Sequence, residues 1–308
     1  MFVFIVRRLI GSIIVLWLLG TLVFFFCRFV PGGPFDQDRA YPPEIKANLM
    51  AKYKLDLPLH KQYLHVLKNL AKGDFGPSTK FVGRDVNDIL KDTFPVSLQL
   101  GIFALLLAYI FAVPIGIISA YKQNTWIDSS SMFVAIVGIS LPNFLLAALL
   151  IYFFAVKLRW FPAGLWEGPI YWILPSVCLG FRIIAYLARF LRSSVLEVIK
   201  EDYIRTARAK GLNEFNVVMK HVFKNSLIPV VTISGPLAAG IVTGSFIIEQ
   251  MFAIPGMGKH FVTAVSNRDY PLVMGTTILY GILMILANLL VDIAYALIDP
   301  RIKVPGAG

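Results

Sequence analysis

Residues 205–215 read "RTARAKGLNEF", with three cations, one glycine and no apolar run. The stretch is set in a chain of 308 residues that is 57% hydrophobic and only 15% charged, with a mean hydropathy of +0.71. Soluble domains carry about 25% charged residues. A chain with so few cannot hide this much apolar surface from water in one globule, so lipid is its expected solvent. A solvated basic segment with apolar runs on both sides is then a loop between membrane spans. The number of spans, and the face on which the loop lies, are set by the rest of the sequence.

Six apolar runs lie near Leu9–Val30, Pro95–Tyr121, Ser130–Val156, Ile170–Ala188, Ser226–Glu249 and Leu272–Ile298. Each is near the ~20 residues a helix needs to cross a bilayer. Helices are expected because backbone groups in lipid must bond within their own segment. The first run follows Arg7 and Arg8, as in a signal peptide. Its core is too long for one, and "CRFVPGGP" offers no small-x-small cleavage site, so it reads as an uncleaved span. Six spans put both termini on one side.

Cations decide which side. The N-terminus, the 121–129 and 189–224 loops and the tail hold 13 Lys/Arg, whereas the loops 157–169 and 251–273 hold two each. The positive-inside rule then predicts cytoplasmic termini. This also accounts for the net charge of +11 and the pI near 9.6, so no nucleic-acid partner is expected. Segment 31–94 carries ten Lys/Arg on the predicted outer side, beside eight acids. The rule weakens for loops beyond ~60 residues, so the segment reads as a small mixed-charge domain. Its predicted helices are "PPEIKANLMAKYKL", with Pro43 in the first turn, and "LPLHKQYLHVLKNLAKG", bounded by Pro58 and Gly73. Leu59, Tyr63, Leu67 and Leu70 share a stripe that would cap the spans. Cys27 and Cys178 both sit in apolar runs, which implies no disulfide framework and no metal site. Pro114, Pro142, Pro175, Pro229 and Pro236 punctuate the spans as candidate kinks.

The 189–224 loop carries eight cations against four acids. A plain solvated connector explains that charge. It does not explain the length, because a turn between spans needs only a few residues. "SSVLEVIKEDYIRTARAKG" predicts a helix from about Ser194 stopped by Gly211, and Asn213 is placed to cap a second helix, "EFNVVMKHVFKN". The expected form is helix–glycine–helix on the cytoplasmic side.

"YIRTARAKGLNEFNVVMKHVFKNSLIPVV" resembles the cytoplasmic loop of ABC importer membrane permeases, whose pattern is E-A-A-x-x-x-G. Arg205-Thr206-Ala207 and Gly211 occupy that pattern in the form of the peptide-transport branch. "RRLIGSIIVL", "PGGPFD", "KYKLDLPLHKQY", "GDFGPS", "FPVSLQLG", "SLPNFL", "GSFIIEQMFAIPGMGKHFVTAVSNRDYPLV" and "DPRIKV" extend the likeness over nearly the whole chain. The chain is identified as resembling the oligopeptide/dipeptide family, nearest to the B-type permeases of oligopeptide systems.

The resemblance implies an all-α membrane protein of the type I importer fold. It would have six transmembrane helices, both termini cytoplasmic, and a helical extracytoplasmic segment between helices 1 and 2. Its parts would be a first helix (1–30), the periplasmic segment (31–94), a five-helix permease core (95–300) holding the coupling loop, and a tail (301–308). The implied partners are a second, homologous permease subunit in a heterodimer, two cytoplasmic ATPase subunits, an external peptide-binding protein, a peptide substrate and the bacterial inner membrane. ATP and magnesium would be bound by the ATPases, and no cofactor by this chain. The implied ATPase-coupling residues are Arg205, Thr206, Ala207, Arg208, Lys210, Gly211, Leu212 and Glu214. Ala207 and Gly211 would let a partner approach closely, and the cations would pair with its acids. Related importers for dipeptides, glutathione or nickel share this pattern.

The remaining candidates are weaker. "PGMGKH" at 255–260 lacks the first glycine and the Ser/Thr of a phosphate loop, and reads as a turn near the outer mouth. Arg182 and Asp292 are ionisable groups inside the fourth and sixth spans, placed to pair or to face a wet cavity. Snorkelling toward the interface is the plainer reading of Arg182. Glu249 is expected at an interface. A proton-coupled carrier would want a chain of buried acids or histidines, and an enzyme a catalytic constellation; the sequence offers neither.

Overall fold

The computed structural model describes residues 2–36, 42–242 and 245–298. The helices are α1 (Phe2–Phe29), α2 (Pro43–Lys52), α3 (Leu59–Leu70), α4 (Val86–Tyr121), α5 (Trp126–Ser140), α6 (Asn143–Leu150), α7 (Pro169–Val198), α8 (Asp202–Ala209), α9 (Glu214–Val217), α10 (Phe223–Val242), α11 (Phe246–Met251), α12 (Met257–Ser266) and α13 (Tyr270–Ile298). Single π turns follow α6 (Ile151–Lys157) and α9 (Val218–Val222). Among the described residues, four helices are long and apolar enough to cross a membrane, or up to five if the bent pair α5–α6 counts as one span. The expected fifth span, 226–249, is divided between α10 and α11, and residues 243–244 between them lie outside the described residues. The tail, 301–308, lies outside them too.

The third span expected at 130–156 is not one helix. α5 and α6 meet at 109° across Leu141 and Pro142. Leu141 is extended (φ −70, ψ 127) because the ring of Pro142 excludes it from helical geometry. Pro114, Pro175, Pro229 and Pro236 lie inside unbroken helices. α4 begins nine residues before the expected Pro95, and α7 runs ten past the expected Ala188.

The chain forms two compact units, Met1–Val96 with Gly256–Leu283 and Ser97–Pro255 with Met284–Gly308. In the first, Phe24, Met274 and Ile278 form a buried cluster, covered by Tyr63, Val66 and Leu70 of α3. The stripe on α3 therefore differs from the expected one: Leu59 is exposed, and Gln62 is buried where it accepts from Arg28 Nε at 2.9 Å. The carboxylate of buried Asp269 accepts from Ser78 Oγ and from the Thr79 N–H (3.1 Å), which ties the 77–81 turn to the start of α13. "PGMGKH" is no simple turn, since its first glycine, Gly256, caps α12.

The second unit is built around α7. A Cβ at Gly180 would stand 2.8 Å from the Ala104 carbonyl oxygen, and one at Gly116 would stand 2.9 Å from that of Ala188. Both residue numbers rise together, so α4 and α7 run parallel. α5 runs against them: its Gly138 lies on Phe181 and Ala185, whereas its Asp128 meets Arg192. Such close backbone approach is how helices associate in lipid. Asp128 and Arg192 form a two-pronged ion pair at 2.6 and 2.7 Å. Asp128 is 4% exposed and the Arg192 side chain 23%, so stripping one partner from this part-buried pair costs less than the ~3–5 kcal/mol of a fully buried one.

Gly180→Ala should lower the melting temperature of the detergent-purified protein, by an overpacking cost of about 1–3 kcal/mol. Gly168→Ala, where a Cβ meets nothing within 4 Å, should leave it unchanged. Equal melting curves for both would show that the α4–α7 contact is not tight.

Candidate functional site

Residues 205–215 form a compact turn carried on the end of α7. The single helix expected over 194–211 is two: α7 ends at Val198, and α8 starts anew at Asp202 after an extended Glu201 (ψ 145). α8 has an acid in its first turn (Asp202) and a cation in its last (Arg208), both complementing the helix dipole. Its inward residues, Ile204 and Ala207, are 0% and 5% exposed. Ala207 thus packs on its own chain.

Gly211 ends α8 as expected, in the left-handed region (φ +77). Its N–H bonds the Arg208 carbonyl at 3.0 Å, and the Leu212 N–H bonds that of Ala207 at 3.4 Å. These are the two bonds of a Schellman cap, which selects glycine. A Cβ at Gly211 would meet nothing within 4 Å, so only backbone conformation, not crowding within the chain, requires glycine. Asn213 then caps α9, its Oδ1 accepting from the Asn216 N–H at 2.9 Å. α9 continues through the π turn into α10.

Side chains lock the turn. Arg208 donates to Glu214 through Nε (3.1 Å) and Nη2 (2.7 Å), closing the loop over Gly211. Arg208 is therefore committed within the chain. Its guanidinium holds the Glu214 carboxyl below the usual carboxylate range, and Glu214 in turn raises Arg208. Asn225 donates to the Tyr203 hydroxyl at 3.1 Å, and Ser194 Oγ donates to the Ser226 carbonyl at 3.1 Å, fixing α8 and the end of α7 to the start of α10. Thr206 Oγ1 returns to the Asp202 carbonyl at 2.9 Å.

The outward face is basic and apolar together. Arg205, 3.7 Å from Asp202, and Lys210 are exposed, and so are Tyr203, Leu212, Met219 and Phe215. Phe215 is 71% exposed, the most exposed of these apolar side chains. The set of coupling residues expected from sequence ends one position short of it, although an aromatic flanked by Glu214 and Asn216 is a visible signal. Arg182 is exposed and Asp292 half-buried, and no ion pair joins them among the described residues. Glu249, expected at an interface, is 1% exposed and accepts from Ser97 Oγ at 2.8 Å.

Residues 112–304, which contain this turn, match the family described as "Binding-protein-dependent transport system inner membrane component", and residues 1–101 match its N-terminal counterpart. The chain belongs to this family. It is a multi-pass membrane component, and not an enzyme. It is 46% identical over 305 residues to the dipeptide transport system permease protein DppB of Bacillus subtilis, covering 99% of each chain. It is 46% and 47% identical over 302 residues to the oligopeptide transport system permease proteins OppB of Haemophilus influenzae and Salmonella typhimurium, covering 97% of this chain and 99% of each relative. The fold is shared with a chain of the inward-facing MetNI methionine ABC transporter, at TM-score 0.54 and 18% identity over 68% of this chain and 96% of that one.

A carboxyl whose folded pKa is depressed stabilises the fold above its unfolded value, about 4.3 for Glu, and loses that contribution as pH falls through the folded value. At neutral pH, Glu214→Gln should therefore speed amide exchange in residues 208–214, by an amount limited to about 0–1 kcal/mol because the pair is exposed. Once the pH has fallen through the depressed folded value of Glu214, the variant and the parent should exchange alike. A difference that persists in acid would remove the ion pair as its cause.

Proposed function

We propose that this chain is one membrane-spanning subunit of an importer that carries oligopeptides across a bacterial inner membrane, with ATP hydrolysed on separate subunits. The observation that carries this reading is identity of 46–47% to peptide permeases over at least 97% of the chain. Six spans, cytoplasmic termini and an outer helical segment complete the reading, supported by the distribution of cations. The partners are a homologous second permease in a heterodimer, two ATPases that bind ATP and magnesium, and an external peptide-binding protein. A dipeptide importer is the second reading, favoured by the match to the Bacillus subtilis protein. Competition of labelled peptide uptake by unlabelled dipeptides and pentapeptides separates the two.

In this reading, residues 205–215 dock on an ATPase. The turn suits the role because it is held rigid from within, by the Gly211 cap, the Asn213 cap and the Arg208–Glu214 pair. A pre-shaped surface loses little freedom on binding. Phe215 and Leu212 supply apolar anchors, of the kind that dominate interfaces, while Arg205 and Lys210 steer toward acidic groups.

Purified in mild detergent, the unmodified chain should bring down a second permease and the ATPases. Phe215→Ala should weaken retention of the ATPases by about 2 kcal/mol, roughly thirtyfold. Gly211→Asn should keep the left-handed cap and the complex, whereas Gly211→Trp, strained at φ +77, should open the cap, keep the membrane helices and lose the ATPases. Recovery of ATPases with Gly211→Trp at wild-type yield would sink the docking role. Peptide uptake by an isolated oligomer without ATP would sink the importer reading.

A further inference from the structure

The base of α5 is fixed to the stem that carries the docking turn. Asp128, in the first turn of α5, accepts Arg192 Nε and Nη2 at 2.6 and 2.7 Å, and the Asn124 N–H at 3.0 Å. Asn124 itself sits at φ +61, in the short link between α4 and α5. Arg192 is in the last two turns of α7, which end at Val198, shortly before α8 begins at Asp202. At its other end α5 passes into α6 through the 109° bend at Leu141–Pro142, and α6 packs on α7 and α11.

The two kinds of contact between α5 and α7 behave differently. Higher on the helices, Gly138 rests against Phe181 and Ala185, an apolar contact with no preferred direction. The guanidinium–carboxylate fork, by contrast, fixes distance and angle together. It cannot slip, because slipping would strand a carboxylate with 5% of its side chain exposed. The fork thus joins the end of α7 to the base of α5, whose far end is broken at Leu141–Pro142.

We propose that the Asp128–Arg192 pair is a rigid joint that passes movement of the docking turn from α7 into α5 and on to the α5–α6 bend. The proposal rests on the reading of residues 205–215 as the coupling element. Both are positioning residues, which act without touching peptide or nucleotide.

The test uses the assembled complex of both permeases, ATPases and binding protein in proteoliposomes. Three quantities are read: retention of ATPases, ATP hydrolysis, and peptide taken up per ATP. If the unmodified complex fails to retain ATPases, the coupling reading itself fails, before any variant is considered. Asp128→Asn keeps the shape and removes the charge. It should retain the ATPases and lower uptake per ATP roughly tenfold. The exchange of Asp128→Arg with Arg192→Asp should bring the ratio back to within roughly threefold of the unmodified complex. An unchanged ratio in Asp128→Asn, or a loss that the exchange leaves untouched, would overturn the joint. Should Asp128→Asn not assemble, Arg192→Lys decides, because it keeps the charge and drops the fork. A lowered ratio in its assembled complex supports the joint, and an unlowered one overturns it.

Discussion

Helices in lipid gain little from hiding apolar side chains against one another, since the surrounding chains are equally apolar. They are held by close approach, and in this chain that falls to glycines on or facing α7. Gly180 and Gly116 let α4 lie almost backbone to backbone on α7, and Gly138 brings α5 up against the Phe181 and Ala185 side chains. α7 is accordingly the most enclosed of the apolar helices, with 50% of its most apolar window buried against 28% for α4. Its position at the centre of the second unit makes it the element that can report the position of α8 to its neighbours.

The turn at the end of α7 separates the residues that shape it from those that it displays. Ile204, Ala207 and Val217 face the chain, Gly211 and Asn213 set the backbone, and Arg208 and Glu214 lock it. Arg205, Lys210, Leu212 and Phe215 face outward. The turn thus contains two chemically distinct sets, one facing the chain and one facing outward.

The positions of the apolar helices and the caps at Gly211 and Asn213 are legible in the sequence, because span length and cap chemistry are local properties. Breaks are less so. Of the five prolines read as candidate kinks, four sit inside helices and Pro142 alone breaks its span, with Leu141 extended before it. The break at Ile199–Glu201 is hidden by residues that are ordinary helix formers. The fork between Asp128 and Arg192, 64 residues apart, and the burial of Glu249 on Ser97, 152 apart, have no local signature at all. Ala207 reads as outward in the sequence because smallness serves either a partner or the chain's own core, and only the fold says which.

The π turn at Val218–Val222 changes the phase of the helix beyond it. Val217, Val222, Ser226 and Val230 are all essentially inaccessible, at 0 to 1% exposure, with spacings of five, four and four. A uniform α-helix advances about 100° per residue, so the step of five would carry Val222 well away from the face that Val217 occupies. The wider turn absorbs one surplus residue and returns the stripe to register. This stretch consequently holds a spare position: shortening it by one residue converts the π turn to ordinary helix and leaves the inward face intact. The same deletion a few residues later, within α10, would rotate that face out of alignment with everything it packs against.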